Sequence, residues 1–432
     1  MKKIFLILLS IAFLNGKVFA ITLSQALLQA YNENPELNAE RENIQVSKED
    51  LNISISKFLP TVTLSSSKSE ENTEKLTDRN GASSSFTDVN PKTQSITVEQ
   101  KLFQGFAGIA GMEKSKIGLN LADAKLLKSE QETLYKAIEA YSGLILANEK
   151  LKINQKNINL LERQVETNHA RLERGQITLV DLAQSESSLA GAQAQFIQAK
   201  NETVTGRLVY EKIIGPILNA DDLNKKSDLN FKIPDNLNKA IEISKNNNPN
   251  LIISKLEYEQ SEKDITIAMS DISPSATLSF NSSRTDDASS TINERDKETL
   301  KASISWPIFK GGKNIASLNK SKNLKNRKKL LFDNAMKTNE TNVASAWSSL
   351  QSSRSLLNSV KSQVKAAEIA NEGITVEYES GLGRSTLDVI QSNKILLSSK
   401  ISLANSERNY LLSQFKLLQS VGLLNSNYLK LQ

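Results

Sequence analysis

The sequence predicts a mainly α-helical protein that also carries a share of a membrane β-barrel: long coiled-coil helices plus four β-strands per chain. Three observations predict it. Apolar residues recur every seven positions over stretches longer than globular helices. Four short segments alternate apolar and polar residues. The whole pattern is written twice along the chain.

Composition narrows the function classes. Aromatic residues make up only 5% of the 432 residues, few anchors for large globular cores. Cysteine is absent, which removes disulfides, thiolate metal sites and thiol nucleophiles, and His169 is the only histidine. No catalytic set, metal site or cofactor is expected, and the chain does not read as an enzyme. There are 54 basic against 48 acidic residues. Removing Lys2, Lys3 and Lys17 leaves 51 against 48, with no footprint for nucleic acid.

Residues 1–20 read as a signal peptide. Lys2-Lys3 precedes the apolar run Ile4–Leu14, and Val18-Phe19-Ala20 is a cleavage site. The run is too short to span a bilayer, which needs ~20 residues. The mature chain would start at Ile21 and leave the cytoplasm. With no second long apolar run, residence in a membrane requires a β-barrel.

The duplication is read from shared offsets. Asn34-Pro35-Glu36-Leu37 matches Asn248-Pro249-Asn250-Leu251, and Thr63-Leu64-Ser65 matches Thr277-Leu278-Ser279. Leu102-Phe103-Gln104-Gly105 matches Ile308-Phe309-Lys310-Gly311, and Gly175 matches Gly381. The predicted organisation is a first repeat over 21–213, an equatorial linker over 214–238, a second repeat over 239–420 and a tail over 421–432.

Within repeat one, a helix over about 22–33 is restarted by Asn34-Pro35, with Asn as N-cap and Pro at the first helical position. The next helix stops before Pro60. Strands are predicted at about 60–68 and 94–103, separated by a polar loop. A helix over about 108–173 carries the heptad series Ala137, Leu144, Leu151, Ile158, Val165, Leu172 and ends at Gly175. A returning helix follows over about 178–213. Repeat two has strands at about 274–282 and 299–309, a helix over about 313–379 with Val343, Leu350, Leu357, Val364, and a return over about 386–420.

Lengths decide the architecture. A helix of ~66 residues is roughly 100 Å long, and the two shorter helices of a repeat match it when stacked end to end. Four strands cannot close a barrel alone, since the smallest have ~8, and an open sheet edge in lipid leaves backbone groups unpaired. Several chains must share one barrel. Alternation directs Val62, Leu64, Ile96, Val98, Phe280 and Ile304 to lipid, and Thr63, Thr97, Glu99, Lys101, Ser279, Lys301 and Ser303 to the lumen. Phe58, Phe103, Trp306 and Phe309 fall at the helix-side rim, as an aromatic girdle would.

The chain resembles the TolC family of outer-membrane efflux proteins over nearly all of 21–425. The resemblance rests on the duplicated Asn-Pro-x-Leu, on Trp306-Pro307-Ile308-Phe309-Lys310-Gly311-Gly312, and on the turns Arg171–Gly175 with Asp181-Leu182 and Tyr378–Gly381 with Asp388-Val389. It implies a homotrimer with one twelve-stranded barrel in the outer membrane of a Gram-negative bacterium, most of its mass lying in the periplasm as an α-helical tunnel. It implies an exit duct for a tripartite efflux pump or type I secretion system. The partners would be a periplasmic adaptor (membrane fusion protein), an inner-membrane transporter of ABC, RND or MFS type, and outer-membrane lipid. It also implies that the Gly175 and Gly381 turns dock the adaptor, and that Asp388, Arg384 and Tyr378 hold or line the tunnel entrance with Asp181 as counterpart. Gln391 stands where relatives often carry a second acid, which puts a double acidic ring in doubt. The alternative reading is a secreted coiled-coil structural or adhesin-like protein without a membrane barrel.

Other signals read blandly. The basic run from Lys313 to Lys329 is a solvated helix face, and Gly381-Leu382-Gly383-Arg384-Ser385-Thr386 lacks the spacing of a phosphate loop.

Overall fold

The computed structural model describes residues 21–431 except 75, 78, 82, 85, 86, 218 and 219. The predicted signal peptide lies outside the described residues. In chain order the elements begin α1 (Leu23–Glu33), α2 (Pro35–Ser56), β1 (Thr61–Lys68), β2 (Glu71–Thr73), β3 (Leu76–Thr77), β4 (Ser83–Ser84), β5 (Thr87–Val89) and β6 (Lys92–Gln104). There follow α3 (Ala107–Glu173), α4 (Leu179–Ile213), α5 (Leu237–Asn247), α6 (Pro249–Ser270), β7 (Ser275–Ser289) and β8 (Ile292–Ser305). The last are α7 (Lys313–Glu379), α8 (Thr386–Val421) and α9 (Ser426–Leu429). Helices α1 and α5 both have 11 residues, α2 and α6 both 22, and α3 and α7 both 67.

The chain divides into two compact units, and the long helices supply residues to both. Among the described residues, one unit comprises 21–40, 126–251 and 336–431. Its main core is built on Leu23, Leu27, Leu134, Tyr141, Tyr210 and Phe415, all buried. A second cluster joins Ala240, Val343, Leu350, Leu417 and Val421. The heptad residues Ala137, Leu144 and Ile158 and the whole series Val343, Leu350, Leu357, Val364 are buried, as the seven-residue period requires. The same asparagine acts twice. Asn34 Oδ1 accepts the N–H groups of Glu36 and Leu37, while its Nδ2 donates to Ile213 O at 3.2 Å. Asn248 Oδ1 accepts from Asn250 N, and its Nδ2 donates to Ser420 O at 2.8 Å. Each therefore caps one helix and latches the far end of the returning helix.

The other unit comprises residues 41–125 and 252–335. Its helices meet through polar contacts: Ser54 and Ser115 hydroxyls at 2.6 Å, Lys114 with Asp264 at 2.6 Å and Lys263 with Glu113 at 2.7 Å. From the basic run, Lys325 and Lys328 pair with Glu262 and Glu257 of α6, which makes the run a charged helix face. The four long strands form one antiparallel sheet in the order β1-β6-β7-β8. Its register stacks apolar on apolar: Val62 faces Val98, Val98 faces Phe280, and Phe280 faces Leu300. Leu64, Leu300 and Ile304 on this face are 71–81% exposed. The opposite face stacks Thr63, Thr97 and Asn281, and Asn281 Nδ2 donates to Thr97 Oγ1 at 2.8 Å.

Strand extents correct the sequence reading. Repeat-two strands over 274–282 and 299–309 are expected, but β7 runs to Ser289 and β8 spans Ile292–Ser305. Apart from Ala288, Ile292 and Asn293, residues 283–298 are Ser, Thr and charged side chains that carry no apolar alternation, yet the ladder continues through them to Asp286 and Glu294. At the other end Pro307 has no N–H for a ladder, so Trp306 and Phe309 lie beyond the strand. The polar loop expected between the repeat-one strands is likewise partly paired: two short ladders join β2 to β5 and β3 to β4.

Candidate functional site

The turns between α3 and α4 and between α7 and α8 are built by the same rule. Gly175 (φ 69°) and Gly381 (φ 72°) adopt the left-handed conformation that ends helices. Gly175 N donates to Leu172 O and Gln176 N to Arg171 O; Gly381 N donates to Tyr378 O and Leu382 N to Glu377 O. The second turn holds one residue more, and Gly383 (φ 81°) accommodates it. Each returning helix then starts with a reciprocal cap. Thr178 and Ser385 side chains accept from the backbone N–H of Asp181 and Asp388. The two carboxylates accept back from the N-cap N–H and hydroxyl at 2.7–2.9 Å. These bonds hold both carboxyls below the usual carboxylate range.

Behind the turns a buried chain of polar side chains joins all four helices. Ser185 Oγ of α4 donates to Asp181 O and receives Asn168 Nδ2 of α3 at 2.6 Å. Tyr378 Oη of α7 donates to Asn168 Oδ1 at 2.9 Å and lies 3.0 Å from Thr386 Oγ1 of α8. Asn168 is fully buried and Tyr378 is 8% exposed. The Arg171 guanidinium lies 4.3 Å from the centre of the Tyr378 ring, a cation–π contact. Arg384 Nε donates to Glu377 Oε2 at 2.6 Å, across its own turn. Gln391 is exposed on α8. At the tips Leu179, Val180 and Leu382 are 65–72% exposed.

The structure thus joins Tyr378 to the helix start that Asp181 caps, and places Arg384 beside Asp388, whose carboxyl its charge also lowers. Sequence reasoning missed Asn168 and Thr386, the partners of Tyr378. Asn168 lies seven residues after Leu161 and fourteen after Asn154, and all three are buried. A polar residue on a heptad core stripe is the mark of a register-setting contact. Near it, a hollow of about 390 Å³ is lined by Lys156, Arg163, Gln164, Tyr378 and Asn393.

At the sheet end, the four aromatic residues fall into separate groups. Phe58 packs on Gly108, and Phe103 meets Phe106 edge to face at 5.4 Å. Trp306 Nε1 donates to Ile272 O at 3.0 Å while its side chain stays 65% exposed, and Phe309 is 83% exposed.

Comparison with known proteins agrees with this architecture. The family model described as "Outer membrane efflux protein" matches residues 26–215 and 240–423. The outer membrane efflux protein BepC of Brucella suis biovar 1 (strain 1330) is 25% identical over 99% of this chain and 91% of its own length. The alkaline protease secretion protein AprF of Pseudomonas aeruginosa is 21% identical over 80% of this chain and 72% of its own. The Campylobacter jejuni CmeC outer membrane channel superposes with a TM-score of 0.79 at 16% identity, covering 93% of this chain and 85% of that one. The chain belongs to the outer membrane efflux protein family, the TolC-type trimeric channels of the Gram-negative outer membrane with a large periplasmic tunnel, and is a passive channel rather than an enzyme.

Proposed function

We propose that the chain is the exit duct of a tripartite efflux pump or type I secretion system, taking cargo handed over by a periplasmic adaptor and an inner-membrane transporter of ABC, RND or MFS type. AprF is named for protease secretion and BepC for efflux; both fit a duct whose partners choose the cargo. In this reading residues 1–20 direct export, and the halves 21–213 and 239–420, joined by 214–238 and followed by 421–432, form the repeated wall. Phe58, Phe103, Trp306 and Phe309 sit at the lipid boundary. The observation that carries the reading is the sheet: one continuous exposed apolar face and two free edges, β1 and β8, which hydrocarbon tolerates only when further copies pair with them.

The tips then serve as entrance and docking surface. Gly175 and Gly381 reverse the helices and present the exposed leucines to the adaptor. Tyr378 and Arg384 hold the entrance narrow, and Asp181 and Asp388 set its charge, three copies of each forming an acidic ring that favours cations. Gln391 leaves that ring without a second acid on α8. Replacing both Tyr378 and Arg384 with Ala should raise single-channel conductance in planar bilayers; unchanged conductance would refute the bracing role.

A further inference from the structure

Strand β8 separates its charges by face. Arg295, Lys297 and Lys301 alternate with Glu294, Asp296 and Glu298. The register assigns the two sets. Lys301 lies opposite Ser279, Lys297 opposite Ser283 and Arg295 opposite Thr285, on the polar face with Thr63, Thr97 and Asn281. The acids continue the apolar face, above Leu300 and Phe280. Lys101 of β6, opposite Thr277, adds a fourth cation to the polar face.

Nothing on that face neutralises them. Among the residues that the register pairs in the four long strands, Glu99 is its only acid, and it stands two strands away from Lys301 in the row Thr61, Glu99, Ser279, Lys301; Asp287, at the irregularity that ends the β7–β8 ladder, accepts from Asn90 N. No ion pair within the described residues engages Arg295, Lys297, Lys301 or Lys101, whereas Arg284 on the other face is held by Asp286 and Glu294. The flanks are neutral as well. On one side β7 presents Ser279, Ser283 and Thr285. On the other, the free edge of β8 in a closed barrel receives β1 of a second copy, whose polar face carries only Thr61, Thr63, Ser65 and Ser67. Assembly therefore leaves the column of positive charge intact, three times around the lumen.

The size of the barrel lets these charges act on what passes through. Twelve strands ~4.8 Å apart and tilted by ~40° enclose a radius of about 12 Å. The Debye length at 0.1 M salt is ~10 Å, so a solute that moves a few ångströms off the axis toward the wall comes within reach of the column.

We infer that Arg295, Lys297 and Lys301 form an anion-binding column in the barrel lumen, and that the duct favours cargo bearing phosphate or carboxylate groups. The inference rests on the channel reading above. It concerns a different part of the pore from the acidic entrance, so the two must be tested from opposite sides.

The test uses full-length protein purified from outer membranes and inserted into planar bilayers at 0.1 M KCl. No helix among the described residues is long and apolar enough to cross a membrane, so the helical part stays on the side of addition and the barrel opens on the other. Sodium tripolyphosphate added on the barrel side should reduce conductance at micromolar to millimolar concentration. The half-blocking concentration should rise at least tenfold in 1 M KCl and at least tenfold in R295Q/K297Q/K301Q. Absence of block in the native channel, or block indifferent to both salt and the triple substitution, overturns the inference while leaving the channel reading intact. If the triple variant does not assemble, the salt dependence and the single variant K301Q decide by the same criteria. If the native protein yields no conductance, the channel reading itself fails and the inference falls with it.

Discussion

Two buried tyrosines near opposite ends of one helical unit predict opposite responses to loss of a hydroxyl. Tyr378 Oη donates to Asn168 Oδ1, an acceptor on a fully buried side chain. Tyr378→Phe leaves that acceptor unpaired and should cost about 1–3 kcal/mol of stability, read as a lowered denaturant midpoint. Tyr210 is fully buried, and among the described residues its hydroxyl has no partner. Burial pushes that hydroxyl up to about 12. Tyr210→Phe should cost nothing and can raise the midpoint, because it removes an unsatisfied polar group. Loss of stability in Y210F would show that the hydroxyl has an acceptor. The capping carboxylates set the pH response of the turns. Asp181 and Asp388 have folded values depressed below their unfolded ones. Their contribution is complete above the unfolded pKa of ~3.9 and is lost as pH falls through the lower folded value. Hydrogen exchange at residues 174–181 and 380–388, corrected for intrinsic rates, should stay protected down to about pH 4 and rise below it. Deprotection between pH 5 and 7 would mean that another group holds the tips. The two aspartates and Tyr378 were legible as motif positions. Asn168 was not, because an asparagine within a helical run reads as surface until the heptad stripe it occupies is traced.

Helix boundaries were the most legible elements. Heptad spacing, Asn-Pro starts and Gly stops place every long helix within a residue or two of its observed end, for example 108–173 expected and Ala107–Glu173 found. Those signals are local, so the sequence alone carries them. Strand ends were less legible, since the outer halves of β7 and β8 are held by partner backbone rather than by their own side chains. That same pairing is what exposed the charge separation on β8. Two glycines show how an element's end can be tight or open. Gly422 has φ 84°, and a Cβ there would collide with the backbone of Asn247 at the end of α5. Gly175 has φ 69° and open space around it. Gly422→Ala should therefore destabilise the fold strongly, by several kcal/mol, whereas Gly175→Ala should cost only the ~1–2 kcal/mol of left-handed strain. Equal losses in chemical denaturation would contradict this distinction.

At the scale of the whole molecule, the chain is an incomplete object. Two sets of helices match in length to within one residue, and one four-stranded sheet exposes an apolar face and keeps both edges unpaired within the chain. The fold class was legible because four strands are too few to close, and counting alone shows it. The number of copies was legible only through family resemblance, since no residue pattern within one chain counts its neighbours. The basic column and the unpaired edges then share one dependence: both acquire their function when β8 of one copy meets β1 of the next. The most direct measurement is the mass of the protein extracted from outer membranes in mild detergent, by sedimentation with the detergent density-matched. Three chains per particle, converting to single chains only on heating in dodecyl sulfate, is the result this architecture predicts. A folded, stable single chain that stays soluble without detergent would contradict it.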